Sequence, residues 1–246
     1  MTTHMQHLPF RLDPDIDVAM LRERFARDQR VRIQPFLDDE TAVALHAHLR
    51  AHEGWKQVVN SGDKVFELDR ATRAAMSVDQ IAALDEAVRH GARTGFQYRY
   101  ESLRMADGNI EHAAADTAAP PITGFTRWMS TDPVRTLLRA VTGCADIGFA
   151  DGQATAYAPG DFLTGHDDAV VGKQRRAAYV LGLTPTWRVE WGGLLLFHRQ
   201  DGAVEGVAPG FNSIDLFAVP QLHSVSQVTL SAAYRRYAIT GWLRAP

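Results

Sequence analysis

A Gly-His-Asp-Asp run at 165–168 sets two metal-binding side chains one residue apart. On an extended chain alternate residues share a face, so His166 and Asp168 approach one ion together while Asp167 leaves on the opposite side. His223, in the later run LHSVSQV, supplies a third ligand. Two imidazoles and one carboxylate occupy one face of an octahedron and leave the other face open, the donor set of many iron oxygenases. That open face takes a bidentate cosubstrate and dioxygen. Iron suits the task better than zinc, because triplet oxygen needs a redox metal before it attacks a C–H bond. An isolated His-x-Asp pair is also what a solvated turn with a capping aspartate looks like, and His223 alone is equally compatible with a structural role. Asp167 is the nearest rival ligand. His198, at the end of LLLFH, is another, although it follows an apolar strand and lacks an acidic neighbour at matching parity.

The open coordination sites call for a cosubstrate with its own anchor. 2-Oxoglutarate chelates iron through its keto oxygen and C1 carboxylate, and its distal carboxylate then needs a fixed donor. The planar fork of arginine fits a carboxylate through two parallel hydrogen bonds. Arg236 lies in the extended run after His223. Thr240 shares its face, with the small Ala238 between them, and Tyr157 offers a further hydroxyl upstream of His166. Arg235 has the opposite parity and is expected to face solvent or an acidic partner.

These groups need a rigid frame, and the chain changes rhythm to provide one. VRIQPFL at 31–37 reads as a short strand. Asp38 caps a helix over about 39–52, with Ala42, Leu45 and Leu49 on one side. Ser77 and Gln80 have capping-box spacing ahead of the stripe Ile81, Leu84 and Val88. Asp132-Pro133 supplies a cap and an N1 proline for VRTLLRAVT, which Gly143 ends. All three read as scaffold helices. The polar, proline-ended segment 105–121 reads as a loop that closes over a bound chain. From about residue 145, QATAY, RRAAYVLGL, GGLLLFH, SIDLFAV and YRRYAITGWL follow one another between turn residues. Short runs of small and β-branched residues at this spacing indicate a sandwich or barrel. The expected architecture is mainly β with packed helices (α+β). Residues 1–144 give helical support and entry strands, and 145–246 the catalytic core of the same domain.

Residues 153–244 resemble the prolyl hydroxylase-like 2-oxoglutarate oxygenases, and among them the catalytic domain of ribosomal prolyl 3-hydroxylases. The residues that carry the likeness are YAPGDFLTGHDD, RRAAYVLGLTPTW, WGGLLLF, LFAVPQLHSVSQV and RRYAITGW, in that order. VRIQPFLDDETAVALHAHL and FQYRY are similar to the family's entry strand and helix and to its substrate-side strand. The resemblance implies a distorted double-stranded β-helix, a jelly roll of the cupin-like kind. It implies Fe(II) held by His166, Asp168 and His223, carboxylate binding by Arg236 with support from Tyr157 and Thr240, and catalytic use of all four groups from the triad and Arg236. Fe(II), 2-oxoglutarate and O2 are the implied cofactor and cosubstrates, with ascorbate as a candidate reductant, and the products are hydroxylated substrate, succinate and CO2. Trp242, Tyr179 and Trp191 are candidate lining of the substrate pocket, with Trp187 as a further apolar surface for a proline ring. Two departures stand out. The family usually carries a carboxylate-binding tyrosine where this chain has Gly182, and regular alternation faces Tyr179 away from that spot. The ribosomal enzymes also continue into a second, non-catalytic domain, whereas this sequence stops at Pro246, which removes docking surface for the same protein substrate.

Composition leaves this chemistry room and narrows the partners. The 246 residues carry a net charge of -3, with 46% hydrophobic and 22% charged residues, ordinary for a globular domain. Such a balance gives no general attraction to nucleic acid or an anionic membrane. A single cysteine, Cys144, forms no internal disulfide, and neither a signal peptide nor an apolar span is visible, so a cytoplasmic location is expected. The expected function is hydroxylation of a prolyl residue in a protein or peptide, a ribosomal protein among the candidates. The alternatives are the same chemistry on a free amino acid or other small metabolite, a non-catalytic binding domain of the same fold, and a cupin-type metal enzyme. The last needs a further ligand and has no use for Arg236. The sequence specifies no oligomeric state.

Overall fold

The computed structural model describes residues 10–105 and 121–246. Most of the expected loop at 105–121 therefore lies outside the described residues. In chain order the elements are α1 (Val18–Asp28), β1 (Arg30–Ile33), α2 (Asp39–Ala51), β2 (Lys56–Ser61), β3 (Lys64–Asp69), α3 (Arg70–Ala74), α4 (Val78–Thr94), β4 (Tyr98–Arg104), α5 (Pro121–Met129) and α6 (Asp132–Thr142). Then come β5 (Phe149–Tyr157), β6 (Phe162–His166), β7 (Arg175–Leu183), β8 (Leu195–His198), β9 (Val204–Val207), β10 (Phe211–Ala218), β11 (His223–Val225) and β12 (Arg236–Arg244). All pairings between these strands are antiparallel.

Strands run β1-β10-β7-β12-β5-β4 across the larger layer, and the path continues β6-β11-β8-β9 across the smaller one. β4 bridges the two, since Arg104 to Glu101 pair with β5 while Tyr98 and Arg99 pair with β6. The β2–β3 hairpin hangs on the other edge of β4. This curled antiparallel sheet is a jelly roll, and neither 177–183 nor 236–242 departs from strand.

Helices seal one face of the larger layer. Asp38 accepts the Thr41 amide and starts α2, whose Ala42, Leu45 and Leu49 are buried as their spacing predicts. α6 buries Val134, Leu137, Leu138 and Val141 and ends at Gly143, where φ is 74°. Its cap position falls on Thr131 rather than Asp132, with no side-chain cap bond, and Asp132 sits inside the first turn. Three helices go beyond the sequence reading: the short α3, which buries no residue, α1, which buries Leu21 and Phe25, and α5, which carries buried Ile122, Phe125 and Met129. These side chains pack with Tyr179, Leu181, Ile214, Leu216, Ile239 and Leu243 from the strands.

α4 departs from its expected role. Both capping-box bonds between Ser77 and Gln80 form. Yet Val88 is its one buried residue, and Ile81 is 45% exposed. The helix lies against β2 and β4, outside the main core, so its stripe lines a cleft rather than the core. No helix among the described residues is long and apolar enough to cross a membrane.

Candidate active site

The opposite face of the same strands lines an interior cavity. Cross-strand pairing sets three rows of side chains there: Tyr157 with Arg236; Thr155, Ala238, Gly182 and Ser213; and Gln153, Thr240, Val180 and Asp215. Strand alternation sends every second residue of β12 to this side and Ile239 and Leu243 to the helices. The cavity holds about 200 Å³ and reaches from Arg236 and Tyr157 past Thr240 to His166, Asp168, His223 and Trp242.

At one end three side chains converge. His166 Nε2 lies 3.5 Å from Asp168 Oδ1, and His223 Nε2 lies 3.4 Å from Asp168 Oδ2. One donor atom from each falls within 4.8 Å of the others. His166 closes β6 and pairs directly with His223 on β11, which brings the imidazoles together with ring centroids 4.1 Å apart. Each ring turns Nδ1 to a backbone carbonyl, at 3.1 Å to Thr164 and 2.7 Å to Gln221. A protonated Nδ1 donating there leaves Nε2 as the free lone pair facing the carboxylate, the arrangement that orients metal-binding histidines. Burial first, and His166 next, hold the His223 pKa down to about 4, so the ring is neutral and able to donate its lone pair. Asp168 reaches this point by a different route from the one its parity suggests. β6 ends at His166, and Asp168 has φ 63°, a left-handed turn conformation that aims the carboxylate back at the rings. Asp167 instead accepts the Ala169 amide at 3.0 Å and is taken up by its own turn. His198 donates to or accepts from the Ser224 hydroxyl at 2.7 Å and stays outside the group.

Arg175 joins the site without having been singled out in the sequence. Its Nη1 donates to the Asp168 carbonyl at 2.8 Å, and its guanidinium carbon lies 3.5 Å above the Trp242 ring. The two hold the Asp168 turn from behind. The signal was weak: Arg175 sits in an Arg-Arg pair, and its neighbour Arg176 is an exposed partner of Asp146.

At the other end Arg236 is 4% exposed and makes no ion pair among the described residues. Its guanidinium carbon lies 5.0 Å from the Tyr157 ring centroid, and burial depresses its pKa. Tyr157 stacks on Tyr100 at 5.1 Å, and burial raises both phenols, Tyr100 to about 12. Both are therefore neutral hydroxyls at any ordinary pH. Arg235 faces the other way and pairs with Glu101, the acidic partner its parity calls for. The Tyr157 phenol and Asp215 support its charge, but no carboxylate among the described residues reaches ion-pair distance, and the cavity gives an anion access to it. The donors at both ends fit an iron ion and a dicarboxylate.

The pocket candidates divide. Tyr179 borders the cavity, while its ring packs in the helix-facing core and its hydroxyl donates to the Asp151 carbonyl at 2.9 Å. Gly152 and Gly241 make room for that ring. Trp191 packs edge-on against Trp187 and Tyr234 in the turn before β8, away from the cavity wall. Trp187 is likewise committed, donating to the Gly192 carbonyl at 2.9 Å. Trp242 does line the cavity, and its indole N–H has no partner among the described residues. Gly182 leaves no empty slot: a β-carbon there would stand 2.7 Å from the Gly210 carbonyl oxygen, which accepts the Thr184 amide. The chain between β9 and β10 has taken the space.

Comparison with known proteins agrees with this geometry. Residues 152–244 match the 2OG-Fe(II) oxygenase superfamily. The chain is 32% identical over 135 residues to the prolyl 3-hydroxylase OGFOD1 of Mus musculus, covering 52% of this chain and 24% of that protein. It is 32% identical over 127 residues to the Xenopus laevis protein of the same name, covering 48% of this chain and 22% of that protein. The chain thus spans less than a quarter of the length of either relative. In fold it is similar to a Pseudomonas putida prolyl-4-hydroxylase, with a TM-score of 0.59 at 17% identity over 93% of this chain and 99% of the other. A Trichoplax adhaerens prolyl hydroxylase solved with a hypoxia inducible factor peptide gives the same TM-score and identity over 93% and 89% of the two chains. Residues 152–244 are thus similar to the 2OG-Fe(II) oxygenase superfamily, and about half of the chain is similar to prolyl 3-hydroxylases.

Proposed function

We propose that this chain is an Fe(II)- and 2-oxoglutarate-dependent hydroxylase acting on a prolyl residue of a protein or peptide. One observation carries the reading: a convergent His166–Asp168–His223 group shares one cavity with a buried Arg236 that makes no ion pair among the described residues. In it, the triad would hold Fe(II), and Arg236, with Thr240 and Tyr157, would hold the distal carboxylate of 2-oxoglutarate. When bound, the iron and its cosubstrate supply oxidation of a C–H bond coupled to decarboxylation to succinate and CO2.

The protein's own share is orientation and exclusion of water. The Thr164 and Gln221 carbonyls fix both imidazoles, and Arg175 fixes the turn that carries Asp168. Val180, Leu195, Phe217 and Val225 present apolar surface around these polar ends, which strengthens the charge interaction at Arg236 by keeping water out. Trp242, Tyr98 and Phe96 at the triad end offer flat apolar surface to a proline ring. The likeness to the prolyl 3-hydroxylases supports a peptide-borne proline, with a ribosomal protein as one source, and a cytoplasmic setting suits the single half-buried thiol of Cys144.

The test is conversion of 2-oxoglutarate to succinate by the Fe(II)-loaded protein, alone and with protein fractions, followed by mass mapping of new hydroxyl groups. Turnover that rises with a proline-containing protein and leaves a hydroxyl on proline supports the proposal. Stimulation by low-molecular-weight fractions alone points to a free amino acid or metabolite, and absence of turnover to a binding domain.

A further inference from the structure

On the outer side of β4 and β5, the face turned from the cavity, a second cleft of about 460 Å³ lies between the strands and α3–α4. Its floor is Glu101, whose side chain is 2% exposed. Three arginines converge on that single carboxylate. Arg73 Nη1 donates to Oε1 at 2.8 Å, Arg235 pairs with Oε2, and Arg70 Nη2 stands 3.7 Å from Oε2. The guanidinium groups come from α3 and from the first turn into β12, elements far apart in sequence. Each remains one third or more exposed, at 42% for Arg70, 35% for Arg73 and 35% for Arg235.

The charges there do not balance. Three cations meet one anion at Glu101, and across the cleft Asp85 and Asp161 outnumber Arg99 by one, so a surplus of one positive charge remains, and one carboxylate cannot use the donors of three guanidinium forks. The neighbouring Arg99 does not add to the surplus, because it is taken up by Asp161 at 3.1 Å, by Asp85 and by the Gly160 carbonyl at 2.9 Å. Buried Glu101 thus acts as a template. It gathers three long side chains during folding and leaves their remaining N–H groups turned to the cleft. Ordering such side chains is a main cost of binding an anion, and here it is met before a ligand arrives.

We propose that the cleft over Glu101 binds a small multiply charged oxyanion, a phosphate or polycarboxylate group, through Arg70, Arg73 and Arg235. The site is separate from the cavity that holds the triad and does not depend on the reading of that cavity. The anion joins the arginines while Glu101 keeps its own contacts, since stripping them would leave a buried charge unpaired. Arg70 is the most exposed of the three and makes no hydrogen bond to Glu101 among the described residues, so it is the arginine freest to turn to a ligand.

Calorimetric titration of the metal-free full chain tests this, using pyrophosphate in one arm and citrate in the other, with Arg236→Gln as the control for binding in the triad cavity. Saturable one-to-one binding is expected in at least one arm, and the tighter of the two identifies the headgroup chemistry. Arg70→Gln, which breaks no hydrogen bond to Glu101, should weaken that binding about tenfold, the worth of one charge-assisted contact. Arg73→Gln should weaken it at least as much, with its melting temperature read alongside to separate loss of the site from loss of the fold. Arg236→Gln should leave it unchanged. No saturable binding in either arm at low salt, or equal affinity in wild type and Arg70→Gln, would overturn the proposal.

Discussion

β7 and β12 show two kinds of surface on one pair of strands. Towards the helices, Leu181, Ile239 and Leu243 are fully buried among apolar neighbours, and the hydroxyl of Tyr179 has its acceptor. Towards the cavity, the same strands carry Arg236 without an ion pair and Trp242 with an unpartnered indole N–H among the described residues. Folding packs the first face with apolar side chains and leaves donors over on the second. Unmet polar groups in a buried, otherwise well-packed place mark where a ligand completes the structure. The difference separates stability from function along a single strand, residue by residue.

If that separation holds, changes on the two faces should have effects of different kinds. The largest is expected at the triad. Asp168→Ala removes one of three ligands, so Fe(II) affinity should fall beyond the roughly 10–100-fold typical of disturbing only a ligand's supporting bond, and turnover should vanish. Anaerobic metal titration checks this, with Asp167→Ala as the partner that keeps substantial affinity because its carboxylate is used in its own turn. Equal loss in the two variants would mean that the ligand register is wrong.

Next comes Arg236→Ala. Its charge-assisted bonds to a carboxylate in an enclosed pocket are each worth about 1.5–3 kcal/mol, so the KM for 2-oxoglutarate should rise by at least about tenfold while metal affinity stays near normal. Arg236→Lys should recover only part, since a point charge does not reproduce the fork. On the helix side, Ile239→Ala should cost about 2–5 kcal/mol of stability through the cavity it leaves. Urea unfolding measures that, and kcat per folded molecule should change little. An Ile239→Ala protein with normal stability and lost activity would break the comparison.

A smaller effect is expected at Arg175. It holds Asp168 chiefly through the backbone carbonyl at 2.8 Å and stands farther, at 4.0 Å, from Oδ1, so Arg175→Gln should weaken metal binding about tenfold, the low end for an outer supporting contact. The smallest effect is Tyr157→Phe, which keeps the ring stacked on Tyr100 and removes one neutral hydroxyl. A single hydrogen bond of about 1 kcal/mol gives a few-fold rise in KM for 2-oxoglutarate.

Much of this division is legible in the sequence because strand parity is a two-way choice. It assigns Arg236 and Arg235 to opposite faces, sets Thr240 beside Arg236, and groups Ala42, Leu45 and Leu49 on α2. It gives way where the chain leaves regular structure. Parity places Asp168 beside His166 as though β6 continued through it, whereas a left-handed turn aims its carboxylate. Tyr179 borders the cavity even though parity sends its ring to the helix side. Gly182 reads in sequence as a missing donor, but its neighbour in space is the Gly210 backbone, from a turn whose path no local pattern reveals. Arg175 escaped notice because its value lies in contact with a backbone carbonyl and an indole ring that periodicity does not connect to it. α4 has an apolar stripe and a full capping box, yet packs on the rim, because local signals set a helix and tertiary packing decides what covers it.

The central claim is that the triad and Arg236 serve one ligand set from the two ends of one cavity. Calorimetric binding of 2-oxoglutarate, with and without Fe(II) under anaerobic conditions, tests it in wild type, Asp168→Ala, Arg236→Ala and Arg235→Ala. Binding should need both metal and Arg236, fall sharply in Asp168→Ala and Arg236→Ala, and persist in Arg235→Ala. Metal-independent binding of equal strength, or loss in Arg235→Ala with retention in Arg236→Ala, would contradict the account.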